Sequence, residues 1–211
     1  MAFRLRLEGM TLFSISPSTA IPCVAAFIPE KKGSPAQCLL FTMGQFDKPC
    51  AQKAFYRADT VQFYWNVPGT HLLVFTHTDV DNTGQSYYGE TNLYYLSQSG
   101  NFDCRIDLDQ PGPIHDVTWS PNGREFVVVY GTIPSKATLF DHRATPIFEF
   151  GKAARNTIKF NPRGRLLYIA GFGNLNGEIV ILNVYMIFLG YLGQKAVKKI
   201  DDFSSKQLIS V

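Results

Sequence analysis

The chain has 211 residues, enough for one large domain or two small ones. Hydrophobic residues make up 45% and charged residues 18%, which excludes a disordered chain. The net charge of +3 permits contact with RNA without demanding it, and 17 Phe with 10 Tyr suit strands.

Along the chain a short unit recurs four times: an apolar strand, a small polar turn, then a second apolar run. Residues 1–11 precede the first unit; they carry Arg4 and Arg6, but Glu8 and Gly9 interrupt any apolar leader. The apolar stretch 12–28 is broken by Pro17 and Pro22 and is unsuited to spanning a bilayer. The first unit is read as strands Val24–Phe27 and Leu39–Met43, joined through Gly33. The second opens with Val61–Trp65 and Leu72–Thr76, followed by a loop from Asp79 to Glu90 and a strand Asn92–Leu96. The third is the fullest. Ile114–Ser120 is an inner strand with Val117 and Trp119 inward, Pro121-Asn122-Gly123 a turn, and Glu125–Tyr130 a second strand apolar on both faces. Lys136–Asp141 and Pro146–Phe150 complete it, with Gly151 expected to end the outer strand. The fourth repeats the order with Thr157–Phe160, a turn over 162–165, Leu166–Ala170, a loop Gly171–Gly177 and Glu178–Asn183.

The anchors Phe27, Trp65, Trp119 and Phe160 lie 38, 54 and 41 residues apart. A period near forty residues, all strand-like, marks β-propeller blades. The expected fold is all-β: a WD-repeat-like β-propeller forming an incomplete arc of about three to four four-stranded blades over 12–183. Residues 184–211 continue without a fifth unit and read as a divergent tail, as in a fragment, a truncated product or an alternative gene model.

Several stretches together resemble the propeller of the eukaryotic translation initiation factor 2A family. They are Phe55-Tyr-Arg-Ala-Asp59, the loop from Thr78 to Glu90, Gly112–Trp119, Phe126–Gly131, Lys136–Phe140 and Ala170-Gly-Phe-Gly-Asn-Leu-Asn-Gly177. The two loops are the most specific, through Asp79, Asp81, Tyr87, Tyr88 and Glu90 in one and Phe172 and Asn174 in the other. The resemblance covers 12–183. It implies a non-enzymatic cytoplasmic factor that binds the small ribosomal subunit and favours delivery of initiator methionyl-tRNA, with mRNA and other initiation factors as partners. It also implies that blades before residue 12, and later blades with a lysine-rich helical part after 183, belong to the family's pattern and not to this chain.

Other motifs weaken on inspection. Asp79, Asp81, Thr83, Gly84 and Glu90 fall at EF-hand positions, but the expected strands on either side replace the helices that a calcium loop needs. Gly171–Gly177 has a G-x-G-x-x-x-G spacing, yet a strand follows where a phosphate-binding loop needs a helix. Cys23, Cys38, Cys50 and Cys104 lack metal-ligand spacing and read as free thiols. No nucleophile elbow or carboxylate pair in an apolar setting appears, so neither an enzyme nor a cofactor is expected. Residues 151–177 carry Lys152, Arg155, Lys159, Arg163 and Arg165 without an acidic residue, the best candidate for a surface facing RNA phosphates. A protein-binding WD-repeat scaffold without RNA contact is the alternative.

Overall fold

The computed structural model describes residues 4–78, 89–175 and 177–188. The described chain forms four antiparallel sheets, each a simple up-and-down meander. The first blade is β1 (Leu12–Ile15), β2 (Cys23–Ile28), β3 (Ala36–Thr42) and β4 (Ala51–Phe55). The second is β5 (Thr60–Trp65), β6 (His71–Thr78), β7 (Glu90–Ser97) and β8 (Asp103–Arg105). The third is β9 (Ile114–Trp119), β10 (Glu125–Tyr130), β11 (Ser135–Asp141) and β12 (Pro146–Ala153). The fourth has three strands, β13 (Thr157–Phe160), β14 (Leu166–Ala170) and β15 (Ile179–Asn183), and runs into a one-turn helix, α1 (Val184–Phe188). The first strands β5, β9 and β13 lie side by side, so the blades radiate from a common axis. This is a partial β-propeller.

Three apolar cores fill the three gaps between neighbouring blades. Strand alternation explains why β10 is apolar throughout: Phe126, Val128 and Tyr130 enter the core shared with blade 2, while Val127 and Val129 enter the core shared with blade 4. Strands β6 and β7 divide in the same way. Leu72, Val74, Tyr94 and Leu96 face blade 1, and Leu73, Leu93 and Tyr95 face blade 3.

Polar links tie the inner strands across these gaps. The indole N–H of Trp65 donates to Ser14 Oγ of β1 at 3.2 Å, and that of Trp119 donates to the Tyr64 carbonyl of β5 at 2.8 Å. Asp116 accepts the Ile158 N–H of β13 at 2.8 Å. The same turn joins the first two strands in every blade. Ser16, Asn66, Ser120 and Asn161 each give their N–H to the carbonyl of the next strand's first residue or its neighbour. The same four side chains accept from the opposite backbone, at Cys23, Thr70 and His71, Glu125 and Leu166 respectively. A short polar residue after an apolar strand thus closes each turn.

Two expectations need correction. Val24–Phe27 and Leu39–Met43 are not the first two strands of the opening blade: the former lies in its second strand, β2, and the latter in its third, β3, which ends at Thr42. The position equivalent to Trp65, Trp119 and Phe160 is therefore Ile15, the last residue of β1, whereas Phe27 stacks on Phe55 in the core between blades 1 and 2. Gly151 does not end β12. It adopts φ +68°, and the register changes between Lys136↔Lys152 and Thr138↔Glu149. One extra residue on β12 makes a bulge that glycine tolerates, and the strand continues to Ala153.

Candidate functional site

In a meander the turns after the first and third strands lie at one end, and those after the second and fourth at the other. The arc therefore has two rims. Turns 16–22, 66–70, 120–124 and 161–165 line one rim, together with 43–50, 98–102 and 142–145. They interlock: a Cβ on Gly69 would lie 2.5 Å from Ser18 N, one on Gly123 2.3 Å from Pro68 Cδ, and one on Gly164 3.3 Å from Pro121 Cδ. Each turn sits against its predecessor, and the side chains that follow are spaced blade by blade.

Cations predominate in the turns of this rim, with Asp103, Glu125 and Asp141 at the strand ends beside them. Lys48, Arg124, Arg143, Arg163 and Arg165 are exposed in its turns, and Asp47 is the acidic residue in the same segments. Arg124 and Arg165 occupy the same place in Pro121-Asn-Gly-Arg124 and Pro162-Arg-Gly-Arg165. Next to the second turn, Asn161, Pro162, Arg163, Arg165, Leu166 and Asn183 line an open groove of about 520 Å³. Two arginines beside an open groove suit a phosphate-bearing ligand.

The basic cluster read from sequence is divided by the fold. Arg163 and Arg165 stand on this rim. Lys159 lies on the outward sheet face of blade 4, opposite Tyr168. Lys152 is exposed on the bulged outer strand β12. Arg155 is a correction: it is only 8% exposed, and its guanidinium donates to the Phe150 carbonyl at 3.2 Å. Burial holds its pKa below the ordinary guanidinium range, with the charge of Glu178 opposing. Its role is structural, because the turn after β12 folds it inward. Arg124 and Arg143 were not singled out from sequence, although the Pro-x-Gly-Arg pattern shared by two turns carried the signal for Arg124.

Two family-like segments, 56–59 and 171–175, lie at the opposite rim, with Glu90 opening β7 beside them. The Arg57 guanidinium donates to Glu90 Oε2 at 2.8 Å, and its N–H to Glu30 Oε2 at 2.9 Å. Glu90 Oε1 accepts from Asn92, and these hydrogen bonds hold its carboxyl below the usual range. Asn156 brackets Phe172, accepting its N–H and donating to its carbonyl, both at 3.0 Å. Phe172 and Asn174 are exposed. Asp79, Asp81, Tyr87 and Tyr88 lie outside the described residues, as do Thr83 and Gly84 of the calcium-like pattern; the flanking segments β6 and β7 are strands.

A polar cluster stiffens this rim in blade 3. The buried Lys136 ammonium bonds Asp109 and, at 2.9 Å, Glu149. Burial alone would lower its pKa, but the two carboxylates outweigh it and hold it above the lysine range. Tyr130 donates to Asp109 at 2.7 Å, and burial pushes its hydroxyl up to about 12. Every charge here is paired, so the cluster positions loops. Among the described residues no group of three or more His, Cys, Asp or Glu side chains could hold a metal ion, and no helix is long and apolar enough to cross a membrane.

Residues 53–194 match the family model described as "Eukaryotic translation initiation factor eIF2A". That is about two thirds of the chain. The chain belongs to the eukaryotic translation initiation factor 2A family. It is 50% identical over 180 residues to eukaryotic translation initiation factor 2A of Schizosaccharomyces pombe, covering 85% of this chain and 31% of the relative. A solved structure titled "Crystal structure of the eukaryotic initiation factor" superposes with TM-score 0.76 at 41% identity, covering 93% of this chain and 44% of that one. A second, "Structure of Dos1 propeller", superposes with TM-score 0.54 at 16% identity, covering 92% of this chain and 47% of that one, and supports the fold alone. The chain thus spans under a third of the length of the curated translation initiation factor 2A relatives it matches.

Proposed function

We propose that this member of the translation initiation factor 2A family acts without catalysis, as a rigid surface that docks on the small ribosomal subunit in the cytoplasm. The blades 12–183 form the docking unit. The observation that carries this reading is the cation-rich rim, where interlocked turns hold Arg124, Arg163 and Arg165 in successive blades. Fixed cations meet rRNA phosphates with little ordering cost and release counterions on contact. The loops of the opposite rim, through Glu90, Phe172 and Asn174, face other initiation factors. Support for initiator methionyl-tRNA delivery on mRNA is the role the family suggests, with the rim turned away from the subunit as the surface for tRNA and for other factors. Lys152 and Lys159 contribute as outlying cations.

Co-sedimentation with purified small subunits tests the reading. An Arg124, Arg163 and Arg165 to Ala variant is expected to lose at least tenfold in affinity, whereas Lys152→Ala changes little. Unchanged binding by the triple variant would instead identify a protein-binding scaffold, docked through ribosomal proteins.

A further inference from the structure

We infer that the mouth of the gap between blades 2 and 3 holds one unpaired nucleotide of an RNA strand, a site that rests on the RNA reading of this rim and adds a base contact to it. The base lies against Phe102 and its phosphate at Arg143. The gap is interior to the arc, between two four-stranded blades.

Strand register builds one wall. Leu73 lies opposite Tyr95, which lies opposite Cys104, and Leu73 and Tyr95 enter the core shared with blade 3. One row nearer the rim, His71 lies opposite Ser97, whose N–H donates to the Phe102 carbonyl at 2.9 Å. Side chains two residues apart on a strand share a face, so His71 and Phe102 also turn toward blade 3. Blade 3 supplies the other wall. The Tyr95 hydroxyl donates to the His142 carbonyl, and His142 and Arg143 are exposed. The Asp141 carboxylate accepts the N–H groups of Arg143 and Thr145 at 2.8 and 2.9 Å, which fixes the turn that carries Arg143.

Blades form without rings in this row. The equivalent pairs are Cys23 with Thr42 in blade 1 and Glu125 with Asp141 in blade 3. In blade 2, Phe102 is 40% exposed yet braced from within, 5.5 Å and 68° from the ring of Tyr95, which is fully buried. His71 adds a donor. Asn66 Oδ1 accepts the Thr70 and His71 N–H groups, so its Nδ2 faces the imidazole and His71 Nδ1 accepts. The proton then sits on Nε2, which has no partner among the described residues. An aromatic ring, a neutral N–H and a guanidinium match a base face, a base-edge acceptor and a phosphate. A duplex hides its base faces, so the site selects an unpaired nucleotide.

Fluorescence anisotropy of the full chain with an end-labelled oligouridylate of about ten nucleotides tests this. The single strand should bind more tightly than a hairpin duplex of equal phosphate number. Phe102→Leu, which keeps an apolar contact on Tyr95, should weaken the single strand about tenfold and leave the duplex unchanged. Arg143→Ala should flatten the single-strand salt slope by about 0.7. Should Phe102→Leu lose its strand signal in circular dichroism, Phe102→Trp replaces it, and its emission should be quenched by the oligouridylate beyond that of the wild type. Equal affinity for single strand and duplex, a folded Phe102→Leu that binds as the wild type does, or no added quenching overturns the inference. Free uridine monophosphate competing at the oligomer's own concentration would assign the mouth to a free nucleotide and overturns it too. So does loss of small-subunit binding in Phe102→Leu without any oligouridylate binding, which would place a protein there. Small-subunit binding that needs Arg124, Arg163 and Arg165 but is indifferent to Phe102 leaves the ribosome reading standing, so the two fail separately.

Discussion

His71 shows how one side chain couples the fold to pH. Its ring sits within the turn after β5, 2.9 Å from Thr70 Oγ1 and 3.3 Å from Asn66 Nδ2, with Tyr95 5.4 Å away. Burial, with the charge of His142 adding to it, holds its pKa below the ordinary histidine value. As pH falls through about 6.5 the unfolded chain takes up a proton that the folded chain refuses. Stability therefore declines across that window and levels off below the folded-state pKa. Urea midpoints through this range should show the slope in the wild type and a shallower one in His71→Gln. The pairing of His71 with Asn66 could not be read from sequence, where the four histidines look scattered. By contrast Trp119 and Val117 were legible as inward-facing, because an alternating strand before Pro-Asn-Gly has one arrangement.

The turns that join first and second strands are the elements on which the rim depends. Gly123 has φ +70°, and a Cβ there would lie 2.3 Å from Pro68 Cδ. Gly151 has nearly the same φ, with no heavy atom within 4 Å of an added Cβ. Alanine at 151 should cost about 1–2 kcal/mol, the left-handed penalty alone. Alanine at 123 should cost more, since blade 2 must also shift, and it should weaken small-subunit binding by moving Arg124. Denaturant titration and sedimentation of both variants check this pair. Most strands were visible from apolar alternation, including all three of blade 4. The strands β1, β4 and β8 were missed because they are short and largely exposed, so they carry little hydrophobic signal. The shift in blade 1 has the same origin: Phe27 is a strong anchor on β2, and Ile15 a weak one on β1. The motif Ile15-Ser16-Pro17 matches Trp119-Ser120-Pro121 and would have set the register.

For the whole molecule, the arc converts distant sequence into neighbouring surface. Arg124 and Arg165 are far apart along the chain yet occupy equivalent turns of adjacent blades. Lys152 and Arg155 lie close to Lys159 in sequence but on different surfaces or inside. A run of cations in sequence is therefore a poor map of any one surface. The radial arrangement was legible from the period, while the division of charge between rims required the topology.

The most direct measurement is the salt dependence of affinity for purified small ribosomal subunits, wild type against Arg163→Ala, Arg165→Ala. Each lost phosphate contact flattens the logarithmic salt slope by about 1. The wild-type affinity should fall steeply with salt, and the double variant should show a slope smaller by about 2. Parallel lines for the two proteins would contradict the assignment of this rim to RNA.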